Sequence, residues 1–382
     1  MIIQIDGTGT HNKGAELMLY AVLQEIERRY PDATVLYNRL RKDKTFINTS
    51  LNFKRRKYCT ILSTLDKYHF PTLLRRLSIP YAFFTTKYCV KNVNVLLDAG
   101  GFQFSDQWNM TNQELLLWER YYQKLKKQGT KIILLPQAFG PFFKENGKKS
   151  ALMLDRYADV IFARDKLSYK YLLEAGVNKG KIEQYPDFTA LVEGVIPKQY
   201  ESLQGYVCVI PNMKMITKGI ISQDQYIASL CTLIQGIVEK KRKVFLLNHE
   251  EKRDSKLCKM INSKLHNSLE IADNLNALEI KGLISKSWLV ISARYHGIAS
   301  ALNSGVPCFA TSWSHKYNEL FLEYEQSDCV LNVSTIIDDL DKIYYLLSLE
   351  IHHYISEDIK NKNSIILRKN REMWDSIWKY IG

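Results

Sequence analysis

Apolar positions along the chain alternate between two spacings. Short apolar runs at Ile2–Asp6, Thr34–Tyr37, Val93–Asp98, Lys131–Pro136, Val160–Ala163 and Ile182–Tyr185 read as buried strands. Segments of helical period separate them. Gly14–Arg29 carries Leu17, Tyr20, Ala21, Gln24 and Arg28 on one spacing, and Asn112–Lys127, Ser150–Asp159 and Lys166–Glu174 follow. Gly176 is a natural stop for the last of these. The pattern then starts again. Strands are predicted at Tyr206–Ile210, Lys243–Asn248, Trp288–Ile291, Cys308–Ala310 and Asp328–Leu331. Helices are predicted at Gln223–Lys240, Arg253–His266, Leu278–Ser287, just past His296, Thr335–Leu349 and Ser356–Tyr380.

Alternation of this kind predicts an α/β fold with two Rossmann-like parallel-sheet domains. Pro197–Gly205 is polar and without period, so residues 1–197 read as a first domain, 205–350 as a second and 356–382 as a C-terminal helix. Parallel sheets collect ligands at the C-terminal ends of their strands, which places the expected site in the cleft between the domains. Polar motifs do follow the predicted strands, at 7–14, 98–101, 137–140, 164–168, 187, 212, 249–251 and 294–296.

Composition narrows the class. A hydrophobic share of 46% suits a folded protein, and no apolar run reaches membrane-spanning length. The first residues run straight into a strand with no basic region or cleavage signature, so a secretory signal is not expected. Seven scattered cysteines without a C-x-x-C pair suit reduced core thiols rather than a zinc site or a disulfide frame, and a cytoplasmic protein. The net charge of +13 is concentrated. Residues 39–91 hold thirteen Lys/Arg against Asp43 and Asp66, interleaved with Tyr68, Phe70, Leu73, Leu74, Tyr81 and Phe83. That mixture suits an anionic membrane face or a lipid-linked anionic substrate. Nucleic acid would answer the same charge, but no nucleic-acid module accompanies it.

The chemistry concentrates in 291–303, where a strand meets a helix through Arg294, Tyr295 and His296. A guanidinium fork, an imidazole and a helix N-terminus all favour an anion there. Asp6–Gly14 is a glycine-rich turn that matches neither a dinucleotide fingerprint nor a phosphate-binding loop, with Asn12 placed to cap the helix that follows. Asp98 precedes Gly100-Gly101 and reads either as an acceptor or base for a sugar hydroxyl or as a cap for backbone donors. Gln137 lies between two prolines in a stiff loop, and Arg164 directly follows a strand, with Asp165 starting the next helix. His249-Glu-Glu251 lacks a second histidine at metal-ligand spacing, so no metal is expected.

Taken together these motifs resemble the polysaccharide pyruvyl transferase family. Asn12-Lys-Gly-Ala-Glu16, Gly100-Gly101, Pro136-Gln-Ala-Phe-Gly-Pro141 and Arg164-Asp-Lys-Leu-Ser168 carry the likeness. Tyr185-Pro-Asp187, Ser292-Ala-Arg-Tyr-His-Gly297, Gly305-Val-Pro307 and Lys316 complete it, in order over about residues 1–325. One departure is Ala15, which stands where an acid often follows the glycine of the first turn, with Glu16 one residue later.

The resemblance implies a GT-B-like fold whose C-terminal helix crosses back to the first domain. It also implies transfer of pyruvate from phosphoenolpyruvate to two hydroxyls of one sugar, as a cyclic ketal, in a capsular or exopolysaccharide precursor. Phosphoenolpyruvate is then the donor substrate, with no separate cofactor and no metal. Arg164, Arg294 and Lys316 would clamp its carboxylate and phosphate, with Tyr295, Asn12, Gly14, Gly101 and Gln137 lining the site. His296 would protonate the enol methylene or, charged, assist departure of phosphate, and Asp98, Asp187 and Glu16 are the candidate bases. A lipid-pyrophosphate-linked acceptor would give residues 39–91 a purpose, holding the protein at the inner face of the membrane. Two other readings fit the same motifs. One is a nucleotide-sugar glycosyltransferase using Glu319 and Glu323; the other is a non-catalytic saccharide-binding protein.

Overall fold

A computed structural model describes residues 1–10, 12–39, 49–57, 92–311 and 315–382. The chain forms two compact units. The first comprises Met1–Thr10, Met18–Phe188 and Lys369–Gly382, and the second His11–Leu17 and Thr189–Arg368.

In the first unit seven strands make one parallel sheet: β1 Ile2–Asp6, β2 Thr34–Arg39, β3 Asn52–Lys57, β4 Val95–Asp98, β5 Lys131–Gln137, β6 Val160–Ala163 and β7 Ile182–Gln184. Their order is β3-β2-β1-β4-β5-β6-β7, so the direction of winding reverses between β1 and β4. Such a reversal opens a crevice at the strand C-termini, where open α/β sheets hold ligands. Every residue of β4 and β6 is buried, as expected of parallel strands covered by helices on both faces. Tyr121, Tyr122 and Leu125 of helix Asn112–Lys127 and Ala151 and Leu154 of helix Glu145–Tyr157 pack on Leu96, Ile132, Leu134 and Ile161 of the sheet.

The second unit repeats the plan with β8 Val207–Ile210, β9 Val244–Leu247, β10 Glu270–Ala272, β11 Leu289–Ser292, β12 Cys308–Thr311 and β13 Val330–Leu331. These are parallel in the order β10-β9-β8-β11-β12-β13, reversing between β8 and β11. Helix Gln223–Glu239 covers one face through Leu230, Leu233, Ile234 and Ile237. Ile280, Leu283 and Ile284 of helix Ala277–Ser285 and Ile298, Ala299 and Leu302 of helix Tyr295–Leu302 cover the other.

The α/β reading and the two parallel sheets are as predicted; several elements are not. β3 lies within the basic segment, where the chain has no apolar run to mark a strand, yet it pairs with β2 over six residues. The rest of that segment, 40–48 and 58–91, lies outside the described residues. β10, three residues long, is too short to show a period. The helix predicted at Ser150–Asp159 begins at Glu145, and a helix at His315–Glu323 has no counterpart in the sequence reading. The C-terminal break falls at 346–348 rather than 350–355. A single helix, Leu349–Ile381, then runs for 33 residues, those to Arg368 belonging to the second unit and those from Lys369 to the first. Among the described residues no helix is long and apolar enough to cross a membrane.

Candidate active site

The motif at 292–297 is built around a tight junction. β11 ends at Ser292, whose Oγ accepts from the Arg294 N–H at 2.9 Å. The Ala293 carbonyl accepts from Asn212 Nδ2 and from the Tyr317 hydroxyl, both at 2.8 Å, and the Ala293 N–H reaches the Ile210 carbonyl. A Cβ on Gly297 would lie 2.5 Å from Ser292 Oγ, so only glycine lets the helix start this close to its strand. Arg294, in extended conformation, is the N-cap residue, and Tyr295 and His296 form the first turn.

The Arg294 guanidinium is already engaged. Nε donates to Asp254 Oδ2 at 3.0 Å, Nη2 donates to the same oxygen, and Nη1 pairs with Glu250. Asp254 is fully buried, and its other oxygen accepts the Met213 N–H at 3.0 Å. Burial pushes the Asp254 carboxyl above its usual range against the pull of Arg294. The two carboxylates differ: Asp254 is locked on three elements, whereas the Glu250 side chain is 27% exposed and has less to hold it. His249 is buried beside them. Burial first, then the charges of Arg294 and His296, lower its pKa well below the usual imidazole value, and Nδ1 has no hydrogen-bond partner among the described residues.

His296 is half-buried and stands edge-on to Tyr295, with ring centroids 5.2 Å apart. Its Nδ1 seats on Gly14, where a Cβ would come within 2.2 Å. Gly14 belongs to the first turn of helix Lys13–Arg29, capped by Asn12, whose Oδ1 accepts from the Gly14 N–H at 2.9 Å. Two helix N-termini therefore meet at one imidazole, and both dipoles favour negative charge there. Lys13 lies in the same turn and pairs with Glu16 at 2.7 Å. Glu16 is fully buried, and burial raises its carboxyl pKa more than the Lys13 ion pair lowers it; Oε1 has no partner among the described residues. Lys316 Nζ rests over the rings of Tyr295 (5.4 Å) and Tyr317 (5.7 Å), so Tyr295 serves as a platform for a cation.

Asn12, Gly14, Arg294, Tyr295, His296 and Lys316 thus belong to the second unit. Asp98, Gly101, Gln137, Arg164 and Asp187 belong to the first, at the C-terminal edge of its sheet. Asp98 is fully buried and accepts from the Gly100 N–H (3.0 Å), both oxygens from Gln103 Nε2 (2.7 and 2.6 Å), and from the Tyr122 hydroxyl at 3.5 Å. These bonds tie Asp98 to the Gly100–Gln103 turn. Gly7, with φ +77, approaches so closely that a Cβ there would sit 2.5 Å from Asp98 Oδ1. The Gly101 carbonyl accepts from the Ala138 N–H at 3.1 Å. Gln137 is fully buried beside a register shift between β5 and β6, and neither atom of its amide has a hydrogen-bond partner among the described residues. Arg164 faces Asp187 at 3.5 Å, both nearly buried, and the Asp187 carbonyl accepts from Asn370 Nδ2.

Sequence reasoning missed Asp254 as the partner of Arg294, and Lys13. Asp254 lies in the first turn of helix Glu251–Lys264, 40 residues before Arg294, with no pattern to mark it. Gln4, Asp6 and Tyr121 also form a buried polar cluster at the end of β1, in which Gln4 Nε2 reaches Asp6 at 3.0 Å and the Tyr121 hydroxyl at 2.5 Å, and that hydroxyl donates to Asp6.

Two parallel α/β sheets, each with its polar groups at the strand C-termini, make the fold GT-B-like. Residues 12–315 match the family model for polysaccharide pyruvyl transferase, and the chain belongs to that family of transferases. No curated protein matches it. Among solved structures it is similar to Anabaena HepE in complex with UDP, at 12% identity and TM-score 0.57 over 99% of each chain. It is similar also to S. aureus MnaA with UDP, at 13% identity and TM-score 0.56 over 94% of this chain and 90% of that one. The UDP-GlcNAc 2-epimerase of Methanocaldococcus jannaschii shares 14% identity and a TM-score of 0.53 over 89% and 92%. At these identities the likeness is one of fold.

Proposed function

We propose that the protein transfers pyruvate from phosphoenolpyruvate onto two hydroxyls of a sugar in a surface or capsular polysaccharide precursor. One observation carries the donor assignment: His296 stands where two helix N-termini meet, beside Arg294 and with Lys316 resting on Tyr295. That group of cations and dipoles suits a ligand with both carboxylate and phosphate. The donor anion would take the place of Glu250 on Arg294, while Asp254 keeps the guanidinium in position.

Two C–O bonds form at C2 of the donor and its bond to the phosphate oxygen breaks. One hydroxyl proton ends on the methyl carbon and the other on phosphate. His296, beside an anionic donor, would be held protonated and supply the methylene proton. The base is proposed among Asp98, Asp187 and Glu16. Glu16 has support from burial, which raises its carboxyl pKa and so makes it a stronger proton acceptor. The first unit, with Asp98, Gly101 and Gln137, is proposed to serve the saccharide. A lipid-pyrophosphate-linked acceptor would account for the charge of residues 39–91 and for a peripheral position at the cytoplasmic membrane face.

Thermal unfolding with phosphoenolpyruvate and, separately, with UDP-sugars tests the reading. Stabilisation by phosphoenolpyruvate alone is expected. The alternative, a nucleotide-sugar glycosyltransferase, draws on the UDP bound in structurally similar proteins and predicts the reverse. Arg294→Ala would strand Asp254 at a cost of about 3–5 kcal/mol, so Arg294→Lys, which keeps charge and loses the fork, is the better variant. Its phosphoenolpyruvate shift should be lost with the fold retained.

A further inference from the structure

We propose that His249 is a further member of the Arg294–His296 site: uncharged in the ligand-free protein, it takes up a proton from solvent when an anion settles beside Arg294. Identifying that anion with phosphoenolpyruvate rests on the proposed function; the coupling of proton to anion does not.

The loop that carries His249 is fixed on both sides. β9 ends at Leu247, and the next N–H, that of Asn248, donates to the Ala272 carbonyl at 3.0 Å. Asn248 Nδ2 donates to Asp273 Oδ1 at 2.6 Å, and Asp273 Oδ2 accepts from Ser255 Oγ at 2.6 Å. Asn248 Oδ1 accepts from the Glu250 N–H at 3.3 Å, a bridge that spans His249. On its other side Glu250 pairs with Arg294, and helix Glu251–Lys264 follows with Asp254 on the same guanidinium. His249 is thus held between an anchored asparagine and a ligand of Arg294. It is 4% exposed, and its Nδ1 has no hydrogen-bond partner among the described residues. A histidine that only packs is expected to pair its ring nitrogens, because an unpaired polar atom in the interior costs stability.

The charges that act most on the ring are positive and sit at two helix starts. Arg294 caps helix Tyr295–Leu302, His296 lies in its first turn, and Lys13 opens helix Lys13–Arg29. Burial and these three cations together keep the imidazole neutral. The carboxylates of the cluster are each paired with a cation, Glu250 and Asp254 with Arg294 and Glu16 with Lys13. An anion placed on Arg294 reverses the sign of the field at His249. If it takes the Nη1 edge it also releases the Glu250 carboxylate, the next residue in the chain. Both changes favour the imidazolium. A site that gains an anion and a proton together buries less net charge than one that gains the anion alone. Linkage is reciprocal, so a proton on His249 strengthens anion binding by the factor by which the anion strengthens proton binding.

Sulfate is the probe, because it stays a dianion throughout the neutral range and adds no titration of its own. NMR of the full chain labelled at histidine Cε1 reads the charge of each imidazole. The signal missing from His249→Gln should lie at the neutral position at pH 6.5 and move toward the imidazolium position as sulfate is added. Sulfate affinity of the wild type should rise as pH falls from 8 to 6. His249→Gln should flatten that rise, by about tenfold per pH unit at the limit of one proton. His249→Asn assigns the signal should the Gln variant not fold, and the wild-type pH series needs no variant. A His249 signal that is already charged without sulfate, or that sulfate leaves unmoved, would overturn the proposal. So would an affinity that does not respond to pH, a pH response that His249→Gln leaves intact, or no sulfate binding at all. The thermal shift by phosphoenolpyruvate reads the donor assignment separately, so either can fail without the other.

Discussion

Arg294 illustrates how a side chain can be the obvious ligand residue and still be occupied. Its three nitrogens are divided between Asp254, which is buried and tied to the Met213 N–H, and Glu250, which is partly exposed. On the proposed donor reading, Glu250 competes with the substrate anion for one edge of the guanidinium. Glu250→Gln removes the charge and should lower the Kd for phosphoenolpyruvate roughly tenfold, about 1.4 kcal/mol, by titration calorimetry; weaker binding would count against the competition. Asp254→Asn should instead destabilise the fold, because a buried pair loses one partner. His249 makes a prediction about stability. Its folded-state pKa lies well below 6.5, the unfolded value, because burial and the nearby cations disfavour its charge. Below pH 6.5 the unfolded chain therefore binds the extra proton, and stability should fall as pH drops through that value. His249→Leu should flatten this limb in urea titrations between pH 7 and 5.

At the scale of elements, the site is a matter of where helices begin. Helix Tyr295–Leu302 starts hard against β11 because Gly297 allows it, and helix Lys13–Arg29 starts hard against His296 because Gly14 allows it. Gly14→Ala would push a methyl into the imidazole. A displacement near 1 Å can cost about 10²-fold in rate when geometry is the contribution, so kcat should fall on that order with little change in melting temperature. An active Gly14→Ala enzyme would show that the seat of His296 is immaterial. The glycines were visible in the motifs, and so was the order strand, turn, helix. What they touch was not: Gly14 and His296 are separated by 282 positions, and nothing in spacing pairs them. Elements lacking a long period were missed for a related reason. β10 has three residues, and β3 carries Lys and Arg where a strand signal needs apolar side chains.

For the whole molecule, the charge distribution is the property that points beyond catalysis. Residues 39–91 carry thirteen cations against two acids, the observation behind the proposed membrane role. Replacing Arg55, Arg56, Arg75 and Arg76 by Gln should weaken sedimentation with anionic liposomes, and added salt should weaken the wild type similarly, because screening acts within about 10 Å at 0.1 M. Liposome binding unchanged by both treatments would rule out the membrane role.

Periodicity and motif order determined, from the sequence by itself, that the chain is α/β, that its sheets are parallel and that Arg294, His296, Arg164 and Asp98 stand at strand ends. These are local facts, set by the period of burial and by which residues follow a strand. Tertiary structure decided which groups became neighbours. It gave Arg294 two carboxylates, seated His296 on Gly14, tied Asp98 to the Gly100–Gln103 turn and linked Lys144 to Asn109 and Asn146 to the Met110 carbonyl. A side chain's charge is written in its sequence, but its partner depends on packing between segments far apart in the chain.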